Sequence, residues 1–351
     1  MIKRVTARDV AAAAGVSRAT VSYVFNQSAR IAVAPATRER VLGTARELGY
    51  TPNPLARGLA GKPTGVIGVV MGQIAVNYVG LSIVQAICRT ASAARYEVLI
   101  TDAAGEAGRE RAQVRVLLDR AVDGLIFNGP YDEANVRLAR DAGRPLVMVE
   151  RYAQVPGVPG ISTDNACGSA LAVEHLVALG HRRLGYVGLT DLHPADHDRF
   201  HGALQAARQC GAEIDGAWVH RSAEHDAGST YTFARTLFRS TARPTAVYAG
   251  GNLFAIEVLR AAHDHGLRVP ADLSVISFDD QYAEFTYPRL TTVSTLPGDL
   301  AAAAMTLLLD GLRHANPPRP VPPSVVLRPR LTVRETTGVA PSSRGASGPR
   351  T

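Results

Sequence analysis

Apolar positions keep a helical spacing through the first fifty residues of this chain, in three sets: Val10, Ala13 and Ala14; Val21 and Val24; Val41, Ala45 and Leu48. Each set marks one face of a short amphipathic helix. Thr6 with Asp9 three residues later is a capping-box start for the first helix, and Gly15 stops it. Ser17 can cap the second, while Thr37 opens a third that Gly49 ends. The next stretch, TPNPLARGLAGKPT, sets short apolar pieces among prolines and glycines. It is too broken for a helix in isolation and reads as a linker that becomes helical only with help.

From Thr64 the pattern changes. Short runs rich in Val, Ile and Leu (GVIGVVM, YEVLITD, VDGLIFNG, RPLVMVE, RRLGYVG, TAVYAGG and DLSVISFDD) alternate with helix-like stretches such as SIVQAICRTASAARY and SALAVEHLVALGH. Apolar strands separated by crossover helices imply parallel sheets. Seven such units exceed one small sheet, and PGVPGISTDNA interrupts them near the middle, so two α/β subdomains with a ligand cleft between them are expected. The closing APSSRGASGPRT is small, polar and proline-containing, and reads as disordered.

Composition adds one decisive fact. The chain has 351 residues, 46% of them hydrophobic, and a formal net charge of +7. Residues 1–62 hold ten Lys or Arg against three acids, which is the whole of that +7, because the remaining 28 basic and 28 acidic residues cancel. A basic head on a balanced body is the footprint of a polyanion-binding module. Cys88, Cys167 and Cys210 are odd in number and lack a CxxC, so neither a disulfide framework nor a zinc knuckle is indicated. With neither a secretory signal nor a membrane-spanning run at the start, the expected location is cytoplasmic and no membrane partner is expected.

The basic head also carries the chemistry. In AAAAGVSRATVS, alanines allow close helix packing and Gly15 allows the turn. Ser17 and Thr20 then stand where a second helix would meet phosphates, and Arg18 and Tyr23 where it would meet base edges in a major groove. Any helix pair joined by glycine is the bland alternative.

At this point VTARDVAAAAGVSRATVSYVFNQ and TRERVLGTARELGYTPNPLARGLAGK resemble the DNA-binding headpiece and hinge of the lactose and galactose repressor (LacI/GalR) family. Further motifs follow in the family's order: VDGLIF, STDN before EHLVALGHRRLGYVG, RFHGALQA, and VPADLSVISFDD before PRLTTV. The resemblance spans about residues 4–335. It implies a helix-turn-helix headpiece (1–50), a hinge (51–63), and an α/β core of two periplasmic-binding-protein-like parallel-sheet subdomains. Those subdomains would be 64–162 with 293–322, and 163–292 with 323–338, before a disordered tail (339–351).

Carried over residue by residue, Arg18, Ala19 and Tyr23 would read bases, and Thr6, Ser17, Thr20, Ser22, Asn26 and Tyr50 would contact phosphate or sugar. Leu59 matches the family's minor-groove leucine, with Ala56 and Arg57 on the same segment; such a wedge unstacks a base step and bends the duplex. Tyr23 stands where many members have Arg, and Ala19 offers only a methyl, so the half-site should deviate from the family's usual one. SARIAVAPATRERV is two residues longer than the usual loop, with Ala34 where a capping Ser is common. In the cleft, the resemblance implies Arg199 and Asp279 as ligand residues, with Tyr78, Glu150 and His225 beside them. Gly251-Asn252 replaces the family's Asn-Asp, so that contact is either missing or taken over by Asn252.

These features imply a homodimeric, ligand-responsive regulator of double-stranded operator DNA, a repressor, that senses a sugar, polyol or nucleoside and needs no cofactor. His193, His197 and His201 in HPADHDRFH have the spacing of helical metal ligands, but Pro194 argues against a continuous helix, so no metal is expected. No dinucleotide, P-loop, HExxH or GxSxG motif occurs, and nothing assembles an enzyme. A periplasmic-type solute receptor is the alternative reading of the body, and the basic head opposes it.

Overall fold

The computed structural model describes residues 5–26, 33–50, 63–72, 78–129, 132–150, 155–191, 194–224, 226–314 and 322–341. The chain divides into two compact units, Met1–Gly65 and Val66–Thr351.

Among the described residues the first unit holds three helices: α1 (Ala7–Ala13), α2 (Arg18–Asn26) and α3 (Pro35–Glu47). The capping box at Thr6 is complete, with Asp9 Oδ2 accepting from the Thr6 backbone N–H at 2.8 Å. Ser17 Oγ accepts from the Thr20 backbone N–H at 3.0 Å and so starts α2. Gly15, at φ +64°, makes the turn between them in a conformation that favours glycine. Val10, Ala11, Ala14, Val21, Val24, Val41 and Ala45 form the small core. Arg40 reaches back from α3 to donate to the Ala14 carbonyl at 3.0 Å, tying the end of α1. The third helix starts two residues before Thr37, because Pro35 is favoured in a first turn that has no side-chain cap at Ala34. Leu48 is exposed instead of joining the core.

In the second unit, two sheets have the same construction. The first runs β11-β5-β4-β3-β1-β2, from β1 (Val66–Met71), β2 (Glu97–Asp102), β3 (Gly124–Asn128), β4 (Leu146–Val149), β5 (Gly160–Thr163) and β11 (Val325–Leu327). The second runs β12-β10-β9-β8-β6-β7, from β6 (Leu184–Leu189), β7 (Val219–Ser222), β8 (Ala246–Ala249), β9 (Ser274–Phe278), β10 (Thr291–Ser294) and β12 (Arg330–Thr332). Among the described residues all pairings are parallel except β10 with β12. Crossover helices α4 (Tyr78–Ala93), α5 (Ala107–Asp119), α6 (Glu133–Asp141) and α11 (Pro297–Arg313) belong to the first sheet by order or packing. Helices α7 (Asn165–Ala178), α8 (Pro194–Gln209), α9 (Ala227–Arg239) and α10 (Asn252–Asp264) serve the second. Each sheet therefore separates two apolar layers. No helix among the described residues is long and apolar enough to cross a membrane.

Three crossings join the subdomains, and they fall a few residues from the expected boundaries. β10 runs to Ser294 in the second sheet, and β11 belongs to the first, so the last return lies between Leu327 and Arg330 and not at 322/323. The interrupting segment PGVPGISTDNA contains β5, which the apolar-run criterion misses. Of the tail, Ala340 is anchored, its N–H donating to the Leu179 carbonyl at 2.8 Å, which corrects the expected disorder at 339–341. The linker 51–62 and residues 342–351 lie outside the described residues.

Candidate nucleic-acid interface and ligand cleft

Helix α2 turns its apolar residues Val21 and Val24 into the core, and this leaves its opposite face outward. Ser17, Arg18, Ala19 and Ser22 are exposed on that face, and Thr20 and Tyr23 are half-buried. Ser17 and Thr20 hydroxyls lie 2.9 Å apart, so each keeps a local partner while retaining a lone pair for a phosphate or water. Thr6 is exposed at the start of α1, its hydroxyl donating to Asp9 at 2.7 Å. Tyr50 packs its ring edge-on against Phe25, with centroids 5.5 Å apart. Asn26 ends α2. Ala56, Arg57 and Leu59 lie outside the described residues.

In the second unit the polar cluster forms where parallel strands end, the position at which open α/β sheets bind ligands. Arg199 projects inward from α8 and is 8% exposed. Its Nε donates to Asn165 Oδ1 at 2.9 Å, and its Nη1 donates to the Gly250 carbonyl at 2.7 Å and to Asp279 Oδ2 at 3.3 Å. The guanidinium also lies 3.9 Å over the Phe278 ring. Burial works against its charge, but Asp279, Asp196 and Glu150 outweigh that and keep the group protonated. The carboxyl of Asp279 is pushed up by burial, against the pull of Arg199.

Glu150 ends β4 as Asp279 ends β9, and these are equivalent positions in the two sheets. Both adopt left-handed backbone, φ 65° and 71°, a conformation costing a non-glycine residue about 1–2 kcal/mol. Such strain gathers at functional sites. Desolvation raises the Glu150 carboxyl to about 7, with Arg199 and the hydroxyl of Thr163, donating at 3.2 Å, opposing it.

Buried polar atoms without a partner point to the same place. Asn128 Oδ1, Thr190 Oγ1, Asp279 Oδ1 and Thr295 Oγ1 are four of the five such side-chain atoms among the described residues. They sit at the C-terminal ends of β3, β6, β9 and β10 respectively. Each unmet buried group costs about 1–3 kcal/mol, a cost that a complementary ligand removes.

Some sequence-derived positions fare differently. Asn252 is engaged by the framework: its Nδ2 donates to Ser277 Oγ and to the carbonyls of Phe278 and Asp279, and its Oδ1 accepts from the Tyr282 N–H. It holds the loop carrying Asp279, with both amide N–H donors engaged by the framework. Tyr78 opens α4. His225 lies outside the described residues. Sequence reasoning missed Asn128, Asn165 and Asp196. Asn128 was visible as the polar residue closing VDGLIFN, while Asn165 stands out only through its bond to Arg199 and Asp196 only through the effect of its charge on that residue.

Comparison with known proteins agrees with both halves. Residues 6–53 match the model of bacterial regulatory proteins, lacI family, and residues 173–337 match that of a periplasmic binding protein-like domain. The transcriptional repressor CytR of Escherichia coli K12 is 33% identical over 88% of this chain and 90% of its own. The chain belongs to the LacI family of bacterial regulatory proteins. Catabolite control protein A of Priestia megaterium is 31% identical over 95% of this chain and 99% of its own. Among solved structures, a lac repressor dimer bound to operator and the anti-inducer ONPF superposes with a TM-score of 0.83 and 29% identity, covering 96% of this chain and all of that one. This LacI-family chain is thus a DNA-binding transcriptional regulator. The solute-receptor alternative is set aside by the headpiece match.

Proposed function

We propose that the chain acts as a homodimeric repressor whose two headpieces bind the half-sites of a pseudo-palindromic operator. The lac repressor structure, described as a dimer on operator, supports this reading. Helix α2 enters the major groove, with Arg18, Ala19 and Tyr23 at base edges and Thr6, Ser17, Thr20, Ser22, Asn26 and Tyr50 along the backbone. The hinge residues Ala56, Arg57 and Leu59 meet the minor groove at the operator centre. The protein works in the cytoplasm, on the nucleoid.

The effector is a small metabolite bound at the strand ends by Arg199, Asp279 and Glu150, joined by Asn128, with Tyr78 and His225 beside them. One observation carries this most: the single buried guanidinium of Arg199 is bonded to Asp279 and also stabilised by the charges of Asp196 and Glu150, while Asp279 and Asn128 keep unpaired acceptor oxygens. Such a site suits a molecule dense in hydroxyl or amino donors with one acceptor for Arg199, as a sugar, polyol or nucleoside provides. A complex of the regulator CelR with cellobiose, with a TM-score of 0.68, supports a sugar.

The test is selection of duplexes from a random pool, followed by fluorescence anisotropy on the winner with and without a panel of sugars, polyols and nucleosides. The expected result is a two-fold symmetric site whose affinity changes with one class of metabolite. Enrichment of no sequence over competitor, under any addition, refutes the reading.

A further inference from the structure

Pro194 occupies the first position of α8, where a missing N–H breaks no helical bond, and the helix runs unbroken to Gln209. Pro194 thus opens the helix, and His197 and His201 both lie within it. His197 and His201, one turn apart, lie side by side with ring centroids separated by 4.2 Å. Asp191, two residues beyond the end of β6, faces them, its Oδ2 standing 3.8 Å from His201 Nε2. One donor atom from each of the three side chains lies within 4.8 Å of the other two, and all three residues are exposed. His193 lies outside the described residues.

The carboxylate is held in place from behind. Arg221, on β7, hydrogen-bonds both oxygens of Asp191, through Nη1 to Oδ2 at 3.2 Å and through Nη2 to Oδ1. Its own position is fixed by a bond from Nε to the Leu189 carbonyl at 3.0 Å and by stacking on Phe200 at 4.2 Å. Asp191 therefore has an outer partner of the kind that orients metal-bound carboxylates, with Oδ2 nearest the imidazoles.

We propose that His197, His201 and Asp191 bind a divalent transition-metal ion of the zinc, nickel or copper class. Two imidazoles with one carboxylate suit these ions, whereas calcium and magnesium favour sets made of oxygens. Donors about 2.0–2.2 Å from a tetrahedral zinc stand about 3.4 Å apart, so the cluster must close by roughly an ångström. Rotation of exposed side chains supplies this. The Arg221 charge shares the carboxylate and lowers the affinity, and three protein donors leave a position open to water. The histidines lie two residues to either side of Arg199, hence on the opposite face of α8. A bound ion joins the first turns of that helix to the loop after β6, outside the cleft. The competing explanation is a solvated surface network, Asp191 with Arg221 and His201, and His197 Nδ1 with Asp198 Oδ1 at 3.3 Å.

Calorimetric titration of the full-length protein with Zn2+, together with thermal melting, separates the two. The proposal expects one Zn2+ per chain and a raised Tm in the wild type. In the double variant His197→Gln/His201→Gln, and in Asp191→Asn, the affinity falls at least about ten-fold and the Tm rise is lost. Unchanged circular dichroism and operator binding show that these surface variants remain folded. Equal Zn2+ affinity in wild type and double variant assigns the binding elsewhere, for instance to the cysteines, and overturns the proposal. So does the absence of wild-type binding below millimolar Zn2+.

Discussion

Replacing Gly202 with alanine tests how the ligand-holding helix is seated. Gly202 lies inside α8 against the first turn of α7, and a Cβ there would meet Ala166 Cα at 2.8 Å, its carbonyl oxygen at 2.9 Å and its carbonyl carbon at 3.3 Å. Two terms compete. Alanine is the better helix former by about 1 kcal/mol. Carbon contacts prefer about 3.5–4.0 Å, however, and the atoms met here are backbone, which cannot rotate away. Overpacking costs about 1–3 kcal/mol, and three immovable backbone atoms this close put the cost in the upper part of that range, about 2–3 kcal/mol; less the helix-propensity gain of about 1, the net loss is about 1–2 kcal/mol. Forcing the helices apart also stretches the bond from Arg199 to Asn165, one residue before Ala166, so the ligand response should weaken as well. The opposite sign is expected at Gly43, in α3, where an added Cβ meets nothing within 4 Å among the described residues, so alanine stabilises the headpiece by about 0.5–1 kcal/mol. Trp218, the single tryptophan, reports on the second unit by fluorescence during urea unfolding, while circular dichroism includes the headpiece. A Gly202→Ala midpoint equal to or above wild type would falsify the close-approach argument.

Arg18→Ala should cost about 1–3 kcal/mol of operator affinity and relax the preference at one base pair, with a smaller loss on scrambled duplex; equal losses on both remove Arg18 from base reading. His175 and His181 are held neutral by burial, with pKa values below the ordinary 6.5. They hold the C-terminal strap through Thr337 at 2.9 Å and the Gly338 carbonyl at 3.1 Å. The unfolded chain takes up these protons first, so their contribution is complete above pH 6.5 and lost as pH falls below it; His181→Gln should flatten that acid limb in urea titrations. Glu150 titrates with the opposite sign. Its carboxyl, raised from 4.5 to about 7, binds protons more tightly in the fold, so its destabilising effect grows as pH rises through that window. Glu150→Gln keeps an acceptor for Thr163 and should unfold at higher urea than wild type at pH 8, with the gap closing by pH 4; a gap independent of pH refutes the assignment.

The elements that local rules specify were legible from the residues. Thr6 with Asp9 and Ser17 with Thr20 place helix starts by capping alone, and both caps form as expected. Seven apolar runs became β1, β2, β3, β4, β6, β8 and β9; all but β2 are inner strands whose covered faces need continuous apolar side chains, while β2 is an edge strand that leaves Glu97 and Ile100 exposed. Strands that depend on a neighbour were not legible. GIST, VHRS and the short β11 and β12 lack such a run and are strands because an edge was available to pair with. Pro194 marks a helix boundary, but proline ends a helix or opens one, and only the path of the preceding chain decides which.

By itself, the sequence determined that a basic three-helix head precedes a doubled α/β body, because capping, periodicity and charge act over a few residues and need no distant partner. It also carried the family motifs that mark Arg199 and Asp279. Tertiary structure alone decided that Asn252 holds the loop carrying Asp279, that Glu150 and Asp279 share a strained conformation at matching strand ends, and that Asp191 faces two histidines. Those properties arise from distances between residues far apart in the chain and from the loss of water around them, and no local pattern encodes either.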